Sequence, residues 1–146
     1  DAQGRDGSFM RLFRYISGAN QSEQKIAMTT PVFMEAGDAE SGGKMGFVVP
    51  KEVADAGTPH PKSPDVDIRK RAGGRFAVIR FSGRLTTESS KEAVAKVRRW
   101  MESKGLIGAD HAERAGYDPP LTPGPLRRNE VLIRLRSSDS STVVKP

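Results

Sequence analysis

Cysteine is absent from this 146-residue chain, and histidine occurs only as His60 and His111. The first absence excludes disulfides, thiolate zinc sites, iron–sulfur clusters and a cysteine nucleophile. The second excludes an all-histidine metal cage within one chain. No apolar run approaches the roughly 18 residues that a membrane-spanning helix needs. No serine–histidine–aspartate set, metal triad or pair of carboxylates stands at a recognisable catalytic spacing. The chain opens on Asp1 and stays polar to Ser8, so it carries no legible signal peptide. It reads as a processed form or a fragment, and its compartment stays open between the cytoplasm and export with a targeting segment already removed.

What is present suits one globular domain. The chain is 36% hydrophobic and 29% charged, with 15 glycines, and this length bounds it to a single unit, 1–146. Its folded core is expected over about 8–136, with a Ser-rich, mobile tail at 137–146. The net charge is +6 and the isoelectric point near 9.9, which raises the question of nucleic acid. Arg69, Lys70, Arg71, Arg75, Arg80 and Arg84 follow one another without an acid between them. Strand alternation would spread them over two faces, and aromatics are not interleaved with them, so a solvated basic surface is expected, with no specific nucleic-acid partner.

The spacing predicts a helix over Ser8–Ser17, with Phe9, Leu12, Phe13 and Ile16 within an arc of about 100°, Ser8 as N-cap and Gly18 as stop. Alternation over Lys25–Met34 and Lys44–Val49 predicts two strands, with Pro31 marking an edge or bulge. Pro50–Pro64 reads as a loop. Val66–Arg71 and Phe76–Phe81 flank Ala72-Gly73-Gly74-Arg75 and read as a hairpin. Ser89–Lys104 is a helix with a Ser89/Glu92 capping box and a stripe of Val94, Val97, Trp100 and Met101. A short strand at Ala112–Tyr117, a Pro-rich loop at Asp118–Arg128 and a last strand at Glu130–Arg136 complete the chain. Helix, strand and strand thus recur in two halves. A hairpin precedes only the second helix, so the first hairpin of the first half is missing and a sheet edge needs cover.

Two stretches carry a family resemblance. FRYISGANQSEQKIAM at Phe13–Met28, running into Thr29-Thr30-Pro31-Val32, resembles the signature of SOUL heme-binding proteins. Tyr117-Asp118-Pro119-Pro120 with Arg127-Arg128-Asn129-Glu130-Val131 does so too, and FAVIRFSG at Phe76–Gly83 is similar to the family's central strand. The resemblance implies an α+β fold, a distorted antiparallel β-barrel of two pseudo-repeated halves with one helix each. It also implies reversible binding of heme or a related tetrapyrrole, as a carrier or buffer, in an apolar groove between the first helix and the loop after Tyr117-Asp118-Pro119-Pro120.

On the first helix, Phe13, Met10 and Arg14 lie about 40°, 100° and 140° round from Phe9. They place an apolar edge beside a cation, as a porphyrin with a propionate requires. Phe9, Leu12 and Ile16 are assigned to the core. Leu121, Thr122 and Leu126 are candidates for the opposite wall, with Arg127, or Arg128, for the second propionate. Some family members carry a lysine near Thr122 that is absent here. His111 is a candidate axial ligand, Tyr15 and Tyr117 are weaker oxygen donors, and His60 belongs to a solvated loop. Met28, Met34 and Met45 are read as core fillers ahead of thioether ligands. Asp118, Arg128, Asn129 and Glu130 suit a polar network fixing the loop to the last strand. The alternative to a tetrapyrrole is an effector-type binding domain, in which Glu130 meets another hydrophobic or cationic small molecule. The oligomeric expectation is a monomer or weak dimer.

Overall fold

Phe76–Ser82 and Arg128–Arg134 pair along all seven residues each, the longest ladder among the described residues. In the computed structural model, which describes residues 7–35, 43–119 and 121–137, the elements follow in order. They are α1 (Ser8–Ile16), β1 (Val32–Glu35), β2 (Lys44–Phe47), α2 (Lys51–Ala56), β3 (Phe76–Ser82), α3 (Thr87–Ser103), β4 (Glu113–Gly116), a 3-10 turn (Gly124–Leu126) and β5 (Arg128–Arg134). The sheet is antiparallel throughout, in the order β2-β1-β4-β5-β3.

Register fixes the two faces. Phe47, Val32, Gly116, Asn129 and Phe81 are successive cross-strand partners, so they share one face. Phe9 of α1 meets Phe47 edge to face at 5.5 Å on that side. Ala93, Val97 and Met101 of α3 pack there against Ala77, Val131 and Ile133. Both long helices therefore cover the same face. The main core lies under α3, and a smaller one joins Tyr15, Ile16, Ile26 and Val66.

The other face curls. The Arg71 guanidinium lies 4.3 Å from the Phe33 ring on β1 and 5.1 Å from the Phe76 ring on β3, three strands away in the sheet. It also ion-pairs with Glu113 of β4 at 2.5 Å.

Several expectations are corrected. Among the described residues the sheet does not close into a barrel, since no ladder joins β2 to β3. The segments read as strands at Lys25–Pro31 and Val66–Arg71 form no ladder either. The first is drawn against α1 through a hydrogen bond from Ile26 N to Ile16 O at 2.8 Å. The second buries Val66 in the smaller core and sends Arg71 across the curled face, so β3 has no hairpin partner before it. The relation between the two halves goes no further than the order of their elements. Ser8 is the first helical residue and not the cap, because Gly7, at φ +81°, takes the cap position. In α3 the capping box is Thr86 with Ser89, Ser89 N donating to Thr86 Oγ1 at 3.1 Å and Thr86 N to Ser89 Oγ at 2.9 Å. This box displaces Ser89/Glu92 and starts the helix earlier. Lys51–Ala56, read as loop, is a short helix. Most of the expected tail, 138–146, lies outside the described residues.

Candidate functional site

The turn after α1 shapes a groove. Gly18 adopts φ +117°, which a side chain would resist, and lets the chain reverse. Asn20, fully buried, then locks the reversal. Its Nδ2 donates to Tyr15 O at 3.0 Å and Gln24 O at 2.8 Å, while its Oδ1 accepts from Gln24 N at 3.0 Å. The chain emerges extended along the helix. Phe13, Ile16 and Ser17 on one side and Lys25, Ile26 and Met28 on the other enclose about 400 Å3.

This groove is lined by apolar side chains, with Ser17 and the single cation Lys25 among them. Phe13 is 42% exposed and stacks on Phe9, with centroids 6.0 Å apart and planes at 13°. Met28 is 48% exposed. Its expected core role fails because no ladder forms before Val32, so Met28 projects into the groove instead. Lys25 is exposed at the groove, while Arg14 is exposed on α1 outside the lining. Met10 lies on α1, 48% exposed, outside the lining.

Leu121, Thr122, Leu126 and Arg127 do not line this groove. They belong to the β4–β5 loop, whose polar residues hold it down. Asp118 accepts from Arg128 N at 2.6 Å and from its guanidinium at 3.0 Å, and this partner holds the Asp118 carboxyl below its ordinary range. Arg127 Nε donates to Thr122 O at 2.9 Å. Asn129 Nδ2 donates to Gly83 O at 2.8 Å. Leu121 and Leu126 are 95% and 68% exposed.

Glu130 is buried on the curled face, and both its oxygens are engaged. Arg80 Nε donates to one at 2.7 Å and the Tyr117 hydroxyl to the other at 2.6 Å. Burial, then the Glu130 hydrogen bond and charge, push the Tyr117 hydroxyl up to about 12. Tyr15 is also raised, by burial, and donates to Pro59 O at 2.7 Å. Both phenol hydroxyls are thus engaged as donors to protein oxygens.

His111 precedes β4, while the residues of the groove adjoin the opposite end of β1, beside Gly116. His111 stands five positions before Gly116, about 17 Å at full extension, and it is not among the residues lining the groove. His60 is exposed, and its carbonyl accepts from Gln21 N at 2.9 Å. Among the described residues no three His, Asp or Glu gather as a metal site, and no helix is long and apolar enough to cross a membrane. The sequence reading missed Ile26, Met28 and Lys25 as walls, although all three stand inside the FRYISGANQSEQKIAM stretch. Asn20 within that stretch was the available signal, since a buried amide after a helix stop marks a pinned reversal.

Residues 1–134 match the SOUL heme-binding protein family. Heme-binding protein 1 of Xenopus tropicalis is 30% identical over 127 residues, covering 84% of this chain and 66% of the relative. Heme-binding protein 1 of Bos taurus is 27% identical over 134 residues, covering 88% and 69%. Heme-binding protein 2 of Homo sapiens is 29% identical over 119 residues, covering 77% and 58%. The chain therefore spans between 58% and 69% of the length of these relatives.

Proposed function

We propose that this chain, which belongs to the SOUL heme-binding protein family, binds heme or a related tetrapyrrole reversibly in the groove beside α1, as a carrier or buffer. The observation that carries the reading is the groove itself. A half-exposed aromatic face, Phe13, stands with Ile16, Ile26 and Met28 beside the Lys25 cation, and Arg14 follows Phe13, exposed on α1. A porphyrin asks for this pairing of a flat apolar wall with cations for its carboxylates. A volume of about 400 Å3 suits partial enclosure, with the rest of the macrocycle outside.

The residues fit a ligand held by its ring face and its propionates. Bound heme brings an iron centre, and its ligation is not needed for this mode, since neither histidine lines the groove. In the binding step Phe13 and Met28 exclude water from the ring, and Lys25 and Arg14 pair with the carboxylates. Asn20 keeps the two walls at fixed separation. The reading of Glu130 as a counter-charge for a cationic ligand is disfavoured, because Arg80 and Tyr117 occupy its oxygens.

Titration of the chain with hemin and, separately, with metal-free protoporphyrin tests this. Saturable binding at one site is expected for both, with a Soret shift for hemin. Phe13→Ala and a Lys25→Glu, Arg14→Glu pair should each weaken it about tenfold or more, and His111→Ala should leave it unchanged. Unsaturable partitioning that ignores the groove substitutions overturns the proposal.

A further inference from the structure

The row Phe47, Val32, Gly116, Asn129 and Phe81 marks one end of the sheet. Beyond it lie Val48 after β2, Met28 to Pro31 before β1, the β4–β5 loop, and Gly83 with Arg84 after β3. They are tied in two pairs. The Thr29 hydroxyl donates to Val48 O. Gly83 N donates to Arg127 O at 3.1 Å, and Asn129 Nδ2 returns a bond to Gly83 O.

This built rim turns apolar side chains outward. Leu121 is 95% exposed, Leu126 68%, Met28 48% and Val48 41%. The Leu121-Thr122-Pro123-Gly124-Pro125-Leu126 stretch is stiffened by its prolines, and its base is held by Arg127 to Thr122 O and by the Asp118–Arg128 pair. The two leucines are thereby kept at the tip instead of folding inward. Cations flank them. Arg84 is exposed, its aliphatic stem running beside Gly124, and Lys25 is exposed three residues before Met28. Asp118 is occupied by Arg128 at 3.0 Å and Glu23 by Lys62 at 3.5 Å, while Glu88, in the first turn of α3, is exposed.

We infer that this rim docks on an anionic lipid bilayer. Leu121 and Leu126 enter the boundary between headgroups and acyl chains, Arg84 and Lys25 meet the anionic headgroups, and Met28 and Val48 lie alongside. Projecting apolar residues within a cationic collar are what an interfacial contact needs. Fluid lipid accepts two leucines on a convex loop without a matching pocket, whereas a protein partner would need shape complementarity that this loop does not offer. Met28 belongs both to the rim and to the groove, so docking sets the groove beside the bilayer. Only that last link rests on the proposed ligand; the docking itself does not.

The full chain, without hemin, is sedimented with vesicles of phosphatidylcholine and of phosphatidylcholine with phosphatidylserine. Binding to the anionic vesicles that weakens as salt rises is expected. Leu121→Asp with Leu126→Asp should lose about tenfold or more in affinity, as should Lys25→Glu with Arg84→Glu. Trp100→Asp with Ile107→Asp, at exposed apolar residues away from the rim, should bind as the parent does. Thermal melts verify that each variant is folded. The inference is overturned if the parent stays in the supernatant, if the leucine pair binds unchanged, or if the Trp100/Ile107 pair loses as much. It is also overturned if ultracentrifugation finds a dimer that the leucine substitutions dissolve, which would make a second copy the occupant. Hemin titration of the leucine pair keeps the two proposals apart, since soluble hemin binding should be retained there.

Discussion

Asn20 donates its side-chain amide to the Tyr15 carbonyl at 3.0 Å, and both residues are buried. The same amide group also holds Gln24 at its N–H and its carbonyl, so a single side chain closes the reversal that forms the groove. Asn20→Ala leaves these backbone groups without partners in a dry place. We expect a loss of about 2–4 kcal/mol in chemical denaturation, together with weaker hemin binding. Unchanged stability would mean that the reversal is held by other contacts.

Gly108 sits where the main core allows no methyl group. A Cβ there would stand 2.5 Å from Met101 Cε and 2.6 Å from Ile133 Cγ2. Gly108→Ala should cost about 1–3 kcal/mol. Gly73→Ala, with nothing within 4 Å of the added atom, should change stability by less than about 0.5 kcal/mol. Equal effects in denaturant titration would contradict the packing described under α3.

Tyr117 makes stability depend on alkaline pH. Its folded value of about 12 exceeds the ordinary 10.0, so its contribution is complete below pH 10 and drains away as pH rises toward 12. The phenolate absorbance of the two tyrosines should rise above the ordinary range. Tyr117→Phe should remove the transition near 12 and flatten the alkaline fall of the melting temperature. A parent in which both tyrosines titrate at the ordinary value would refute the buried bond to Glu130.

Asp118 acts in the opposite direction. Arg128 depresses its carboxyl below the ordinary 3.8, so the stabilisation is present above that value and is lost as pH falls through the lowered one. As pH falls below the ordinary 3.8, the melting temperature of the parent should drop more steeply than that of Asp118→Asn. Parallel acid slopes would show that the pair contributes nothing to holding the loop.

Much of this was readable in advance where periodicity and packing agreed. Val94, Val97 and Met101 announced α3, and the apolar runs in Phe76–Phe81 and Glu130–Arg136 announced two strands, though not that the two pair with each other. Reading failed where a tertiary contact decided the outcome. Val66–Arg71 has the composition of a strand, yet Arg71 finds two aromatic rings and a carboxylate on the curled face, and pairing gives way to that contact. Tyr15 counts as polar in a list of candidates, but its ring fills the smaller core while its hydroxyl reaches Pro59 O. Met28 obeyed the alternation pattern, and the missing ladder moved it from core to groove wall. Phe13 was legible as the edge of the helix stripe; its partners across the groove depended on a chain reversal that only the Asn20 bonds define.

The division of the interior into two clusters has a kinetic consequence. The groove is carried by the cluster of Tyr15, Ile16, Ile26 and Val66, while α3, β3 and β5 rest on the other. The β1–β4 ladder, four residue pairs long, links the two parts of the sheet. Subglobal opening can therefore release α1 and the segment after it while the α3 half stays folded. Amides from Ile16 to Ile26 would exchange their hydrogens earlier than those of Val131 and Ile133. A ligand lodged between α1 and that segment would slow the exchange, so capture and release would be governed by the breathing of one small cluster.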